Sequence, residues 1–456
     1  MKWLLQRIKA VFSKPATAAM IVVAVIGLLG TVITVLSRGA PSKSGQNIEV
    51  GGDVNAPVIQ GDVNAPVIIG ATPLIVTSTP LPTFTPTPVI FQTPKIYTIL
   101  ENASLAGGSK QTSAVRDSTG KITVFILNGT DLGYFELFEG AVQFPPVFFD
   151  TLGPPGAPRI SAAIDSADQI HMVWGAAPQA SDLKYSLLNN GQLASSEIIA
   201  TGAYAWDIAV DSANHPHVAW TNVDLLSMIY NGKQWLPPKK LVSGLWHPDI
   251  QLNSDDDTFI LANEGQFYPT TGTSVYEIDD VGGNWNDLNE LSASPFWSGG
   301  AAAAINDVGD VYTVWMNSTT NNGGTDQVFF SRRINGGWQQ PLYIGDVNTS
   351  AGSTGQESPA VAFDARGVFY VAWRGLNERN RPVIFVRAFV PENVPISKVT
   401  WGWSPIITLD QRDAFDVGWP TIANAWHTNL EEGIDLLWDG NVGSNQVIFH
   451  SYVKFP

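Results

Sequence analysis

Four stretches of this chain align without a gap: SAAIDSADQIHMVW (161–174), DIAVDSANHPHVAW (207–220), AAAINDVGDVYTVW (302–315) and AVAFDARGVFYVAW (360–373). An Asp or Asn ends the first half of each: Asp165, Asp211, Asn306 and Asp364. Three residues later stands a turn residue: Asp168, Asn214, Gly309 and Gly367. Six later comes His or Tyr (His171, His217, Tyr312, Tyr370), and nine later Trp (Trp174, Trp220, Trp315, Trp373). The pattern reads as an apolar strand, a tight turn and a second apolar strand. The Asp or Asn side chain suits the turn because it accepts hydrogen bonds from nearby backbone N–H groups. Weaker copies start at Asp117 (DSTGKITVFI), at Asn253 (NSDDDTFILA) and at Asn424, the last with an insertion before Trp438. Spacings of roughly fifty residues fit a four-stranded propeller blade rather than a solenoid turn.

The rest of the unit follows. The first strands are small and apolar, as strands crowding a central axis must be, with an Ala run at 301–304. The Trp closing the second strand is expected to wedge between neighbouring blades. A second hairpin follows, as in Tyr230…Gly232…Trp235, Tyr276…Gly283…Trp285 and Phe330…Gly337…Trp338, where Gly supplies the positive φ of the turn. Outer strands read EIIAT (197–201), LYIGD (342–346) and IITLD (406–410). The last blade ends after its third strand, so KIYTILE (95–101) is expected to supply the missing outer strand and close the ring. The fold class is therefore all-β, a seven-bladed β-propeller over residues 95–456.

Before the propeller the chain changes character. Residues 1–15 form a basic tail, with Lys2, Arg7, Lys9 and Lys14. Residues 16–36 carry no charge. Such a run spans a hydrocarbon core of about 30 Å as a helix. The excess of basic residues before it predicts a single-pass signal-anchor over 16–37, N-terminus cytoplasmic and propeller outside the cell membrane. A cleaved signal peptide fits less well, since the run is long and Pro41 follows the small pair Gly39-Ala40. A spacer over 38–70 contains GDVNAPVI twice, at 52–59 and 61–68. It resembles short repeats of bacterial signalling and conflict-system proteins, which implies a small β-solenoid or pairing between chains; a plain low-complexity spacer is the other reading. Residues 71–94 hold six Pro and seven Thr. They read as an extended stalk of about 70 Å in polyproline II geometry, like the Thr-Pro stalks of bacterial surface proteins.

Composition excludes several functions. The chain has no cysteine, hence no disulfide, thiolate metal site or cysteine nucleophile. Its net charge is −16, and six of its basic residues precede residue 44, leaving 19 basic against 41 acidic residues, or −22, beyond. A body this acidic excludes nucleic acid as a partner. No phosphate loop, Gly-x-Ser-x-Gly elbow, HExxH or dinucleotide fingerprint occurs, so no cofactor or metal is expected.

The IHMVW and PHVAW strands, the aromatic-Ser pairs Tyr185-Ser186 and Phe330-Ser331, and the Gly-x-Trp turns resemble the sialidase-like (BNR-type) propeller superfamily. The resemblance covers 95–456 as a fold pattern. Active members carry an arginine triad for a carboxylate, a Tyr/Glu nucleophile pair and Ser-x-Asp-x-Gly-x-Thr-Trp boxes. Asp165-Ser166-Ala167 and its equivalents lack the Thr-Trp ending, and Arg159, Arg332, Arg333 and Arg374 show no triad spacing. Catalysis is therefore not the leading expectation.

Candidate ligand-binding residues lie on the loops entering each first strand: Tyr204, Trp206, Trp246, His247, Phe296, Trp297 and Trp419, with Arg159 and Glu357. Aromatics around one opening suit stacking on sugar rings. Three loops between second and third strands are long and polar (262–273, 316–327, 374–382), the last with Arg374, Arg379 and Arg381, which suit a carboxylate or sulfate. The leading expectation is a displayed module binding glycan or another surface polymer. The runner-up is a divergent glycoside hydrolase or lyase, with Glu264 and Glu357 as the nearest carboxylates. The third is a structural scaffold or protein partner. His171 and His217 occupy a position that also takes Tyr, so they read as structural. Asp255, Asp256 and Asp257 read as a solvated turn.

Overall fold

The computed structural model describes residues 95–98, 113–128, 130–143, 145–151, 159–175, 181–264, 274–293, 298–318, 326–347, 359–379, 381–392, 402–409, 414–423, 432–442 and 445–454. All belong to the unit Phe84–Pro456. The expected membrane segment, GDVNAPVI repeats and stalk lie outside the described residues. Seven antiparallel sheets form among the described residues, one per blade of the expected propeller. Their inner strands are Ser113–Arg116, Arg159–Ile164, Ala205–Val210, Leu245–Leu252, Ser298–Ile305, Ala360–Phe363 and, in the seventh blade, Ala414–Val417 with Thr421–Ile422. The expected outer strands appear as Glu197–Ala203, Leu342–Val347 and Ile407–Leu409.

Six turns after the inner strands fall where the repeat puts them. In each, one side-chain oxygen of the Asp or Asn accepts two backbone N–H groups, two and four residues on. Asp165 Oδ1 takes those of Ala167 and Gln169 at 2.9 and 2.8 Å. Asp117, Asp211, Asn253, Asn306 and Asp364 do the same. The third residue on takes positive φ in all six: Gly120, Asp168, Asn214, Asp256, Gly309 and Gly367. Asn424 lies outside the described residues.

That third residue also reaches the neighbouring blade. Asp168 accepts from Ser118 N–H at 2.8 Å, and Asp256 from Ser212 N–H at 2.7 Å and Ser212 Oγ at 2.6 Å. Asn214 holds Ser166 in the same way. Blades one to four are thus laced together along one face.

Seven apolar clusters among the described residues fill the seven seams. One joins Val115, Phe125 and Tyr134 of the first blade to Met172 and Trp174 of the second. The repeat Trp residues take the wedge position: Trp174, Trp220, Trp315, Trp373 and Trp438 are all buried between two blades. The second hairpin departs from expectation in one detail: between Phe330 and Trp338 the positive φ falls on Asn335 and Gly336 rather than on Gly337.

Ring closure is as expected over 95–98, and residues 99–101 lie outside the described residues. Lys95–Thr98 forms the outer strand of the seventh blade, Lys95 opposite Tyr452 and Thr98 opposite Phe449. Strand direction follows. Inner strands run from an entry face to the turn face, and outer strands run back. Lys95 therefore sits at the turn face.

His171 and His217 are buried, as structural residues should be. His171 Nε2 lies 3.3 Å from Asp165 Oδ2 and its Nδ1 2.8 Å from Tyr185 Oη. Burial alone would raise the Asp165 carboxyl, but bonds from His171 and from the N–H groups of Gln169 and Ala167 outweigh it and hold it below its ordinary value. Asp211 is held low likewise by His217 and the His215 N–H. A depressed carboxyl stabilises the fold above the unfolded value near 4, and that contribution is lost as pH falls through the folded value. Thermal midpoints are expected to fall steeply below about pH 4, and Asp165→Asn with Asp211→Asn should flatten that fall. Melting curves across this acid range check it.

Candidate functional site

The entry face is built where inner strands begin and second strands end, because antiparallel pairing sets these side by side. Ala205 stands opposite Thr221, Leu245 opposite Glu264, and Trp246 opposite Asn263. Between the third and fourth blades these elements converge. The Tyr204 N–H donates to the Thr221 carbonyl at 2.8 Å, which fixes the entry loop against the second strand. In the fourth blade the register shifts between Trp246 and Asp249, and His247 takes a φ of 54°. A non-glycine residue in the left-handed region, here directly before Pro248, is strained. The Trp246 ring lies 5.2 Å from the Tyr204 ring. Beside them Glu264 is exposed, and Tyr276 Oη donates to its Oε2 at 3.5 Å. Burial and the Glu264 and Glu290 carboxylates raise the Tyr276 hydroxyl above its ordinary value, so it stays a neutral donor.

The aromatic platform expected from the sequence is only partly present as surface. Tyr204 and His247 are half-buried. Trp246 and Trp419 are each 7% exposed, and Trp206 is 0% exposed. Trp206 is thereby corrected to a core residue. It packs with Val173, Leu183 and Trp220 across the second seam, and a Cβ on Gly175 would stand 2.6 Å from its ring. Trp297, Glu357 and Phe296 lie outside the described residues. Arg159 is placed only by its backbone, opposite Gly175.

The arginines separate into two groups. Arg332 is paired with Glu392 through two bonds of 2.8 and 3.0 Å. Arg333 is paired with Glu277 and Asp279, both at 2.7 Å. Neither joins a triad at the entry face. Arg374 is half-buried there, its guanidinium 5.2 Å from the Trp419 ring centroid in the adjacent blade. The turn carrying Arg379 and Arg381 is closed by Asn377, whose Oδ1 accepts both their N–H groups. Asp255 and Asp257 bond within their own turn to Asn253. Among the described residues no group of three His, Cys, Asp or Glu is placed to hold a metal ion.

Two carboxylates that the sequence pattern does not single out lie on the inner strands. Asp207 accepts from Ser161 Oγ in the second blade and from the Ile250 N–H in the fourth, the latter at 2.9 Å. Asp249 accepts from the Ala303 N–H in the fifth at 3.3 Å. Each satisfies an edge N–H of the next inner strand, so their role is to tie blades together.

No family model matches the sequence, and no curated protein matches it. Solved structures do match. A polysaccharide lyase of family PL25, an ulvan lyase bound to -[GlcA(1-4)Rha3S]-, has a TM-score of 0.52 at 10% identity, over 81% of this chain and 94% of its own. The BP39L lectin of Burkholderia pseudomallei has a TM-score of 0.48 at 12% identity, over 74% and 97%. The subtype N10 neuraminidase-like protein of A/little yellow-shouldered bat/Guatemala has a TM-score of 0.39 at 10% identity, over 66% and 94%. The chain is a seven-bladed β-propeller whose structural neighbours include lectin, lyase and sialidase-like propellers, and at these identities the likeness is one of fold.

Proposed function

We propose that this protein is a membrane-anchored surface module of a bacterial cell that binds a glycan or another surface polymer at the entry face, without cleaving it. The observation that carries this is the third-to-fourth blade mouth. There the half-buried Tyr204 ring, backed by Trp246, stands beside the exposed Glu264 and its Tyr276 donor. An aromatic face next to a carboxylate and a phenol matches the apolar face and hydroxyl rim of a sugar ring. Several described arginines being tied in ion pairs weighs against a carboxylate-gripping triad, and with it against a sialidase-like hydrolase. The uncharged run at 16–36 supports the anchor.

Tyr204→Ala is expected to weaken glycan binding about tenfold, the scale of one lost aromatic contact, while leaving the thermal midpoint within a few degrees. Calorimetric titration of the full chain with the strongest ligand of a glycan array measures the first, and a melting curve the second. Unchanged affinity would contradict the placement. Reducing-sugar release on the same array would turn the reading into a hydrolase.

A further inference from the structure

The residue that follows the wedge position of the second strand changes character around the ring. It is Gly175 in the second blade and Met316 in the fifth, but Thr221 in the third and Asn263 in the fourth. Thr221 is 0% exposed and Asn263 6%. Thr221 Oγ1 and Asn263 Oδ1 have no hydrogen-bond partner among the described residues. A buried polar atom of this kind normally costs stability, so its retention in two successive blades asks for a reason.

Strand alternation shows where these atoms point. Ala219, two residues before Thr221, packs with Leu245 and Ile250 of the fourth blade. Leu261, two before Asn263, packs with Ala301 and Ala303 of the fifth. Each side chain is therefore aimed into the next seam, at its entry-face end. Thr221 lies directly under the Tyr204 loop through the Tyr204 N–H bond. Asn263 lies opposite Trp246, which backs Tyr204.

We infer that Thr221 and Asn263 are the hydrogen-bonding anchors of two equivalent inter-blade subsites, which take hydroxyl groups from units of one polyhydroxylated polymer lying across the third, fourth and fifth blades. This rests on the glycan-binding reading and deepens it. Two repeated subsites on consecutive blades select an oligomer over a monosaccharide, because the second contact is made intramolecularly. Because Thr221 is fully buried and Asn263 nearly so, binding requires the Tyr204 loop and its neighbours to move aside.

The test uses the full chain and neutral oligosaccharides of glucose, xylose, mannose and rhamnose, with the matching monosaccharides. Thr221→Val and Asn263→Leu keep shape and remove the polar atoms. Each is expected to weaken oligosaccharide binding about tenfold, the scale of one hydrogen bond, with the thermal midpoint unchanged or raised. Thr221→Ser, which keeps the hydroxyl, is expected to bind within about twofold of the parent. Parent-like affinity in both Thr221→Val and Asn263→Leu overturns the subsites and leaves the glycan-binding reading standing. A lowered midpoint in both shows the groups to be structural and also overturns them. If the parent chain binds none of these sugars, the broader reading fails, and the subsites with it.

Discussion

Deleting Lys95–Thr98 from the full chain is expected to cost about 4 kcal/mol, at roughly 1 kcal/mol for each backbone bond of a four-residue pairing. The strand lies at one end of the propeller sequence and pairs with the other end, from Tyr452 to Phe449. It is thus the only described element that joins the two ends within one sheet. Without it the seventh blade ends on Asn445–Val453, whose outer edge would present unpaired N–H and C=O groups. The first-to-seventh seam would still hold Ile122, Phe135, Leu437 and Ile448 together, so the ring should loosen rather than fail to form. The thermal midpoint should drop by several degrees, and concentration-dependent association should appear as the free edge pairs with other copies. An unchanged midpoint would mean that apolar seams alone close the ring.

The other large effect is expected at Trp206. Trp206→Ala should lower stability by about 3–5 kcal/mol, as loss of a fully buried ring does, read as a shift of the urea midpoint. The ring fills the second seam and lies against the Gly175 backbone, where no side chain could stand. Trp206→Phe should recover part of the loss. Because the ring has no exposure, any loss of ligand binding in Trp206→Ala should track the unfolded fraction. Binding lost with the urea midpoint unchanged would return Trp206 to the binding face.

The contrast between Trp206 and Tyr204 shows what a sequence can and cannot reveal here. Blade number, turn positions and wedge Trp residues are legible because each is dictated by local chemistry repeated in register. The parity of Trp206 is legible too. It shares alternation with Ile208 and Val210, which face the core, and that signal outweighs its place on an entry loop. The lacing of the turn face is written in the sequence as Ser after one turn acid and Asp or Asn in the next copy. It stops where Gly309 replaces the acceptor, since Gly has no side chain to offer Ser254. The fates of Arg332 and Arg333 are not legible. Their carboxylate partners stand 54 to 60 residues away on neighbouring blades, and only the closed ring brings them together. Thr221 and Asn263 are equally hidden, because a missing partner is a property of the packed seam and not of the strand that carries the residue.

Hydrogen–deuterium exchange of the full chain, with and without the tightest ligand from a glycan array, tests whether the entry face is where a glycan binds. Slowed exchange is expected only at the entry face of the third and fourth blades, at 203–206, 221–224, 245–248 and 261–264. Protection on the turn face, or on outer strands such as Leu342–Val347, would contradict it.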